Sequence, residues 1–239
     1  MYAFIQARMG SSRFPGKILH KFNQKETILD FQVRRLNRTK ISNIVILTSN
    51  NYLDDRIVNH CNKLGYDVFR GDEKDVLSRF ISAAEFYNQE CFLRICSDNP
   101  LISTFLIDEL INGYNDNDYL SHSVNNVPGI KTHYGLFSEV VKLSVLKKLD
   151  KIMDIESEHR EHVTSGLYTD DVFQCDFIKF NVYDTLLRLT IDDKIDLNNI
   201  QKLEKTIKED FGSDFQNNIK LIPESIMINM QNQISKYEK

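Results

Sequence analysis

Phe4-Ile5-Gln6-Ala7-Arg8-Met9-Gly10-Ser11-Ser12-Arg13-Phe14-Pro15-Gly16-Lys17-Ile18-Leu19 decides how the chain is read. A short apolar run gives way to a loop with two glycines, two serines, one proline and three cations. Glycine lets backbone approach a ligand closely and turn its N–H groups inward. The hydroxyls, with Arg8, Arg13 and Lys17, add donors and positive charge that suit a polyphosphate. A P-loop requires G-x-x-x-x-G-K and then Ser or Thr. Here five residues separate Gly10 from Gly16, Pro15 intervenes, and Ile18 follows Lys17. G-x-G-x-x-G is absent too. The plain alternative is a solvated basic turn, but this glycine, serine and proline spacing at a strand end favours a phosphate site.

Outward from that loop, short apolar runs alternate with helical patterns. Tyr2–Ala7, Ile44–Thr48, Asp67–Phe69 and Cys91–Ile95 read as strands. Thr27–Thr39, Leu53–Leu64, Val76–Phe86 and Thr104–Ile111 read as helices. The alternation predicts βαβ units, a mostly parallel sheet flanked by helices, and so an α/β fold. Ligands of such sheets bind beyond the carboxyl ends of the strands. From Tyr119 to Tyr134 the pattern changes to a hairpin-like excursion, followed by helices over Leu143–Leu149 and Glu158–Leu167. Phe177–Val182 and Leu186–Leu189 are expected to return as strands. Asp196–Lys208 and Pro223–Tyr237 are expected to be helices.

A chain of 239 residues buries one substantial core, so one domain, residues 1–239, with an inserted hairpin and helical lobe is expected. A net charge of −4 argues against a nucleic-acid partner. No run approaches the ~20 apolar residues of a membrane helix. Cys61, Cys91, Cys96 and Cys175 lack zinc or C-x-x-C spacing, and with no signal peptide the reading is a cytoplasmic protein with reduced thiols.

Two carboxylates stand where strands end. Ser97-Asp98-Asn99-Pro100-Leu101 follows Cys91–Ile95, and a carboxylate there is placed to hold a divalent cation on a nucleotide; the simpler alternative is an Asx turn before Pro100. Leu187-Arg188-Leu189-Thr190-Ile191-Asp192-Asp193-Lys194-Ile195-Asp196 offers Asp192, with helix-entry acids favoured by the macrodipole as the alternative. Phe69-Arg70-Gly71 leads into Asp75-Val76-Leu77-Ser78-Arg79, where Arg70 and Arg79 are candidates to reach a ligand at the rim. Glu158-His159-Arg160-Glu161-His162 places two histidines at i and i+3, but not in H-E-x-x-H order. Asp116-Asn117-Asp118 sits in a polar stretch and reads as a loop.

Arg8, Gly10, Ser11, Arg13, Pro15 and Lys17 fill R-x-G-S-x-R-x-P-x-K, which resembles the nucleotide loop of the sugar nucleotidyltransferases. The likeness is to cytidylyltransferases related to CMP-Kdo and CMP-sialate synthetases, in particular the spore coat polysaccharide branch. Asp98 falls in the D-x-P-L element, residues 70–79 in R-G-x-x-x-D-V-L-S-R, 188–196 in R-L-T-V-D-T-P-E-D, and 160–164 in R-E-H-V-T. The chain departs at Asp193, Lys194 and Ile195, and at Phe137, where the family often carries an acid. The resemblance implies a nucleotide-diphospho-sugar transferase (GT-A-like) fold and cytidylyl transfer from CTP with release of pyrophosphate. It implies Lys17 and Arg8 as catalytic and Ala7, Arg8, Gly10, Ser11, Arg13, Lys17, Arg70 and Arg79 around the nucleotide. Mg2+ falls on Asp98 and Asp192, and Glu139, Arg160, Glu161 and His162 on the acceptor side. Residues 119–180 would form the acceptor and dimerisation lobe of a homodimer. A sugar acid, a sugar phosphate and a polyol phosphate all remain open as acceptor. A nucleotide-sugar-dependent glycosyltransferase and a silent nucleotide-binding homologue are the alternatives.

Overall fold

The structure is a computed structural model and describes residues 1–168, 172–182, 187–207 and 210–237. Strand β1 (Tyr2–Gln6) lies between β2 (Asn43–Ser49) and β4 (Cys91–Cys96), parallel to both, and β3 (Asp67–Gly71) runs parallel beside β2. A strand walled in on both faces should be apolar throughout, and Ala3, Phe4 and Ile5 are fully buried. Beyond β4 the sheet turns antiparallel, through β7 (Glu139–Lys142) to β5 (Tyr119–Val124). β5 also pairs with the short β6 (Val127–Pro128), antiparallel, and with β8 (Cys175–Lys179), parallel, the two meeting Ser123 from opposite edges. The order is β3-β2-β1-β4-β7-β5-β6, with β8 on β5.

Strand alternation sends the side chains to two cores. Ala3, Ile5, Ile46, Leu93 and Ile95 pack with α1 (Ile28–Leu36), α2 (Asp55–Leu64) and α4 (Thr104–Gly113). Phe4, Val45, Leu47 and Phe92 pack with α3 (Val76–Phe86) and α5 (Leu143–Ile152). A third core lies under the C-terminal helices α7 (Lys194–Thr206), α8 (Phe215–Lys220) and α9 (Glu224–Tyr237), and it takes in Phe14 and Phe22 from the N-terminal loop. Capping boxes start α1 (Thr27 with Asp30) and α7 (Asp193 with Asp196).

Three expectations change. β5 is an inner strand, buried at every residue, and only its tip is a hairpin; Asn125 and Asn126 turn it at φ 51° and 65°, which short polar side chains tolerate. The helix expected over 158–167 shrinks to α6, His159–His162, because Val163 at φ 60° breaks the right-handed path. Residues 187–189 form no strand; Leu189 N–H donates to His133 O and Ile191 N–H to Asp98 O, both single bonds across a loop. Leu186, Lys208 and the 169–171 part of the 119–180 segment lie outside the described residues. Among the described residues no helix is long and apolar enough to cross a membrane.

Candidate active site

A cleft of about 760 Å³ opens where β1 and β4 end side by side. The connections leave those two strands in opposite directions, which is where an open α/β sheet leaves a crevice. Gln6, Ala7 and Arg8 form one lip and Cys96, Ser97 and Asp98 the other. Burial pushes the Cys96 thiol up to about 12, so it stays protonated beside the cleft.

The N-terminal loop is fixed from below. Met9 N–H donates to Asp54 Oδ1 at 2.7 Å, and Asp54 Oδ2 accepts from Ser49 N–H at 3.1 Å and Ser49 Oγ at 2.5 Å. Asp54 is 2% exposed and so ties the ends of β1 and β2 together. Gly16 N–H donates to Met9 O, closing the loop. Gly16 sits at φ 71°, and a Cβ there would fall 2.9 Å from Met9 Cε, so glycine is required. Above Gly10 the space is open for 4 Å. Ser11, Ser12 and Arg13 face the cleft. Asp54 was not singled out from the sequence; an acid at a helix start carries no signal of what it binds.

Lys17 reaches the base of the cleft with 12% of its side chain exposed. Its Nζ donates to Ile191 O at 2.6 Å and lies 3.4 Å from Asp192 Oδ1 and 3.5 Å from Asp98 Oδ2. Asp192 Oδ2 accepts from Arg188 Nη2 at 2.6 Å, and Arg13 stands 3.6 Å from Oδ1. Burial alone would raise the Asp192 carboxyl, but Lys17, then Arg188, outweigh it and hold the group below the usual carboxylate range. Arg188, 1% exposed, is in turn held by Asp196 and by His133. Asp193 turns away to cap α7, accepting from Ile195 and Asp196 N–H. The capping box separates the two neighbouring acids: Asp193 serves the helix and Asp192 faces the cleft.

Asp98 and Asp192 therefore converge on one cation with 33% and 24% of their side chains open. The ammonium of Lys17 lies within ion-pair distance of both. Two carboxylates are the donor set a magnesium ion takes when phosphate and water oxygens fill its octahedron, so these residues fit such a metal.

Arg79 on α3 lines the cleft at 3% exposure. Among the described residues its Nε has no hydrogen-bond partner. Burial lowers its pKa, partly offset by the Asp54 charge. Its side chain crosses Gly71 so closely that a Cβ there would lie 2.7 Å from Arg79 Cγ. Arg70 corrects the expectation. Its Nη1 binds Asp55 at 2.6 Å, and its Nε and Nη2 bind the carbonyls of Ser49 and Asn51. It braces the turn after β2 and does not line the cleft.

The acceptor-side expectations divide. His159, Glu161 and His162 of α6 line the cleft with Ser165, Tyr168 and Lys131. Glu161 Oε1 accepts from Arg8 Nη2 at 2.5 Å. Glu139 does not reach the cleft: it is fully buried and accepts from Arg94 Nη1, Tyr119 OH and Thr164 Oγ1. Arg94, which donates also to Gln6 Oε1, lines the cleft together with Gln6. Arg160 is buried as well, donating to Asp75 Oδ2 at 2.6 Å and Asp150 Oδ1 at 2.5 Å. Asp116-Asn117-Asp118 stays outside the cleft: Asp116 pairs with Lys142, Asn117 donates to Asp176, and Asp118 accepts from Gln174 N–H.

A family described as cytidylyltransferase matches residues 2–226. An uncharacterised protein of Methanocaldococcus jannaschii is 37% identical over 205 residues, 84% of this chain and 82% of that one. The spore coat polysaccharide biosynthesis protein SpsF of Bacillus subtilis is 34% identical over 209 residues, 83% of this chain and 84% of that one. A solved cytidylyltransferase structure from Leptospira borgpetersenii superposes with a TM-score of 0.79 at 29% identity, covering 93% of this chain and 96% of that one.

Proposed function

The chain belongs to the cytidylyltransferase family and is a nucleotidyltransferase, and on that premise we propose that it transfers the cytidylyl group of CTP to a sugar acid or a sugar or polyol phosphate. The observation that supports this most is Lys17 held between Asp98 and Asp192 at the base of the cleft, beside Arg8, Arg13 and the unpartnered Arg79 Nε. In this reading Arg8, Arg13, Lys17 and Arg79 bind the triphosphate, with Ala7, Gly10 and Ser11 along the same loop. An acceptor oxygen attacks the α-phosphorus, the bond from that phosphorus to the bridging oxygen breaks, and pyrophosphate leaves with the bonding electron pair. The protein contributes position and positive charge and forms no covalent bond to substrate. Asp98 and Asp192 would hold Mg2+, which supplies charge neutralisation at the phosphate oxygens when bound. Lys17 would donate to the phosphates from the same place at the base of the cleft.

His159, His162 and Ser165 belong to the acceptor end in this reading, with residues 119–180 as the acceptor and self-association lobe of a cytoplasmic homodimer. SpsF, by its name, serves polysaccharide biosynthesis; a product destined for a surface polysaccharide or glycoconjugate follows for this chain by likeness. The test is pyrophosphate release from each of the four NTPs with Mg2+, against sugar acids, sugar phosphates and polyol phosphates. Release with CTP and one acceptor establishes the reaction and names the substrate. Absence of CTP binding overturns it. Sedimentation at micromolar concentration tests the dimer, which a monomer would refute.

A further inference from the structure

Lys17 and Arg13 meet carboxylates on the strand-end rim, but Arg8 meets Glu161, a residue 153 positions further along the chain. Both side chains line the cleft and remain 43% and 49% exposed. Glu161 does not arrive there on a loose loop. Its neighbour Arg160 is buried and held by Asp75, which also caps α3, and by Asp150 of α5. On its other side Val163 is fully buried at φ 60°, a conformation that a β-branched residue adopts only when its surroundings enforce it. The α6 turn is thus clamped on both flanks of the glutamate, and the clamp points a carboxylate into a cleft suited to a polyanion.

A carboxylate in that position opposes an incoming triphosphate, and its ion pair with Arg8 must be exchanged for a phosphate contact. We propose that Glu161 is a built-in counter-ion of Arg8 that the triphosphate displaces, so that the α6 turn sets nucleotide affinity. The inference rests on the reading of Arg8 as a triphosphate ligand. The pair is open to solvent, so its strength is modest and salt-sensitive; it weakens binding without blocking it.

The test is calorimetric titration of the full chain with CTP and Mg2+ at low ionic strength, for Glu161→Gln, Arg8→Ala and the double variant. Glu161→Gln is expected to tighten CTP about threefold, in keeping with an exposed ion pair, and the gain should vanish in the Arg8→Ala background. CMP, which lacks the outer phosphates, serves as the control ligand, with a smaller gain expected. If Glu161→Gln leaves CTP affinity unchanged or lowers it while Arg8→Ala weakens it, the counter-ion role fails and the triphosphate reading stands. If Arg8→Ala has no effect on CTP, the reading of Arg8 fails, and the inference falls with it.

Discussion

Arg94 with Glu139 and Arg8 with Glu161 are each an arginine–glutamate pair at 2.5 Å on the border of one cleft, but the first is 4% and 0% exposed and the second 43% and 49%. The buried carboxylate also accepts from Tyr119 and Thr164, and the buried guanidinium donates to Gln6. Burial works against the Arg94 charge, but its surroundings, Glu139 prominent among them, raise its pKa. Losing one partner would strand a charge in the interior, so the pair is permanent. The exposed pair has water to fall back on, and either member can change partner. The chemistry is the same in both; solvent access decides which pair holds the fold and which can be exchanged for a ligand.

The largest expected effect lies on the exchangeable side. A unit charge about 4 Å from a phosphate is worth roughly 4 kcal/mol at an effective dielectric near 20. Lys17→Ala should therefore cut pyrophosphate release about a thousandfold while shifting the melting temperature little; near-normal turnover would remove Lys17 from the reaction. On the permanent side, Glu139→Gln leaves Arg94 without its counter-ion. Breaking such a pair costs about 3–5 kcal/mol, so melting should fall by roughly 10 °C in a calorimetric scan. A variant that melts like the parent would show that water reaches the pair.

A smaller effect should come from Gly71→Ala. The added methyl occupies the path of Arg79 and should raise the Kd for CTP about tenfold, worth about 1.4 kcal/mol, with melting almost unchanged. Equal affinity would mean that Arg79 finds another route. The smallest is a pH effect at Asp192. Its carboxyl lies below the usual range in the folded chain, so its stabilising share is present above the unfolded pKa of about 3.9 and is lost as pH falls through the folded value. Asp192→Asn should cost on the order of 1 kcal/mol at pH 7 and nothing once the pH is below the folded value. A deficit that persists there would mean a packing defect instead of a lost charge.

What the sequence disclosed was local. Arg8, Arg13, Lys17 and Asp98 sit at strand ends or in the turns beside them, and Asp192 sits beside the residue that caps α7, so the position of each relative to its own element can be read from its neighbours. Glu139 could not be assigned that way. Its partner is fixed by the antiparallel register of β4 on β7, which sets Arg94 opposite Glu139, and no nearby residue encodes that register. Arg70 failed for a related reason. Side chains two apart on a strand share a face; Val68 packs with the α2 core, so Arg70 emerges beside α2 and meets Asp55. The R-G motif marks a strand end without telling which way the arginine leaves it. Arg160 is the third instance, an arginine beside two cleft residues whose own partners are the acid that caps α3 and an acid on α5.

Phe14 joins a core otherwise drawn largely from much later in the chain, including Ile191, Leu197, Phe215 and Met230. During synthesis the loop around Phe14 has only Phe22, Ile28 and Phe31 of that core close behind it, and most of its floor is made only after most of the sheet has been translated. Nucleotide binding is thus a property the nascent chain acquires late. A chain cut short of α7 would carry the loop's cations and Phe14 without most of the side chains that this core packs beneath them.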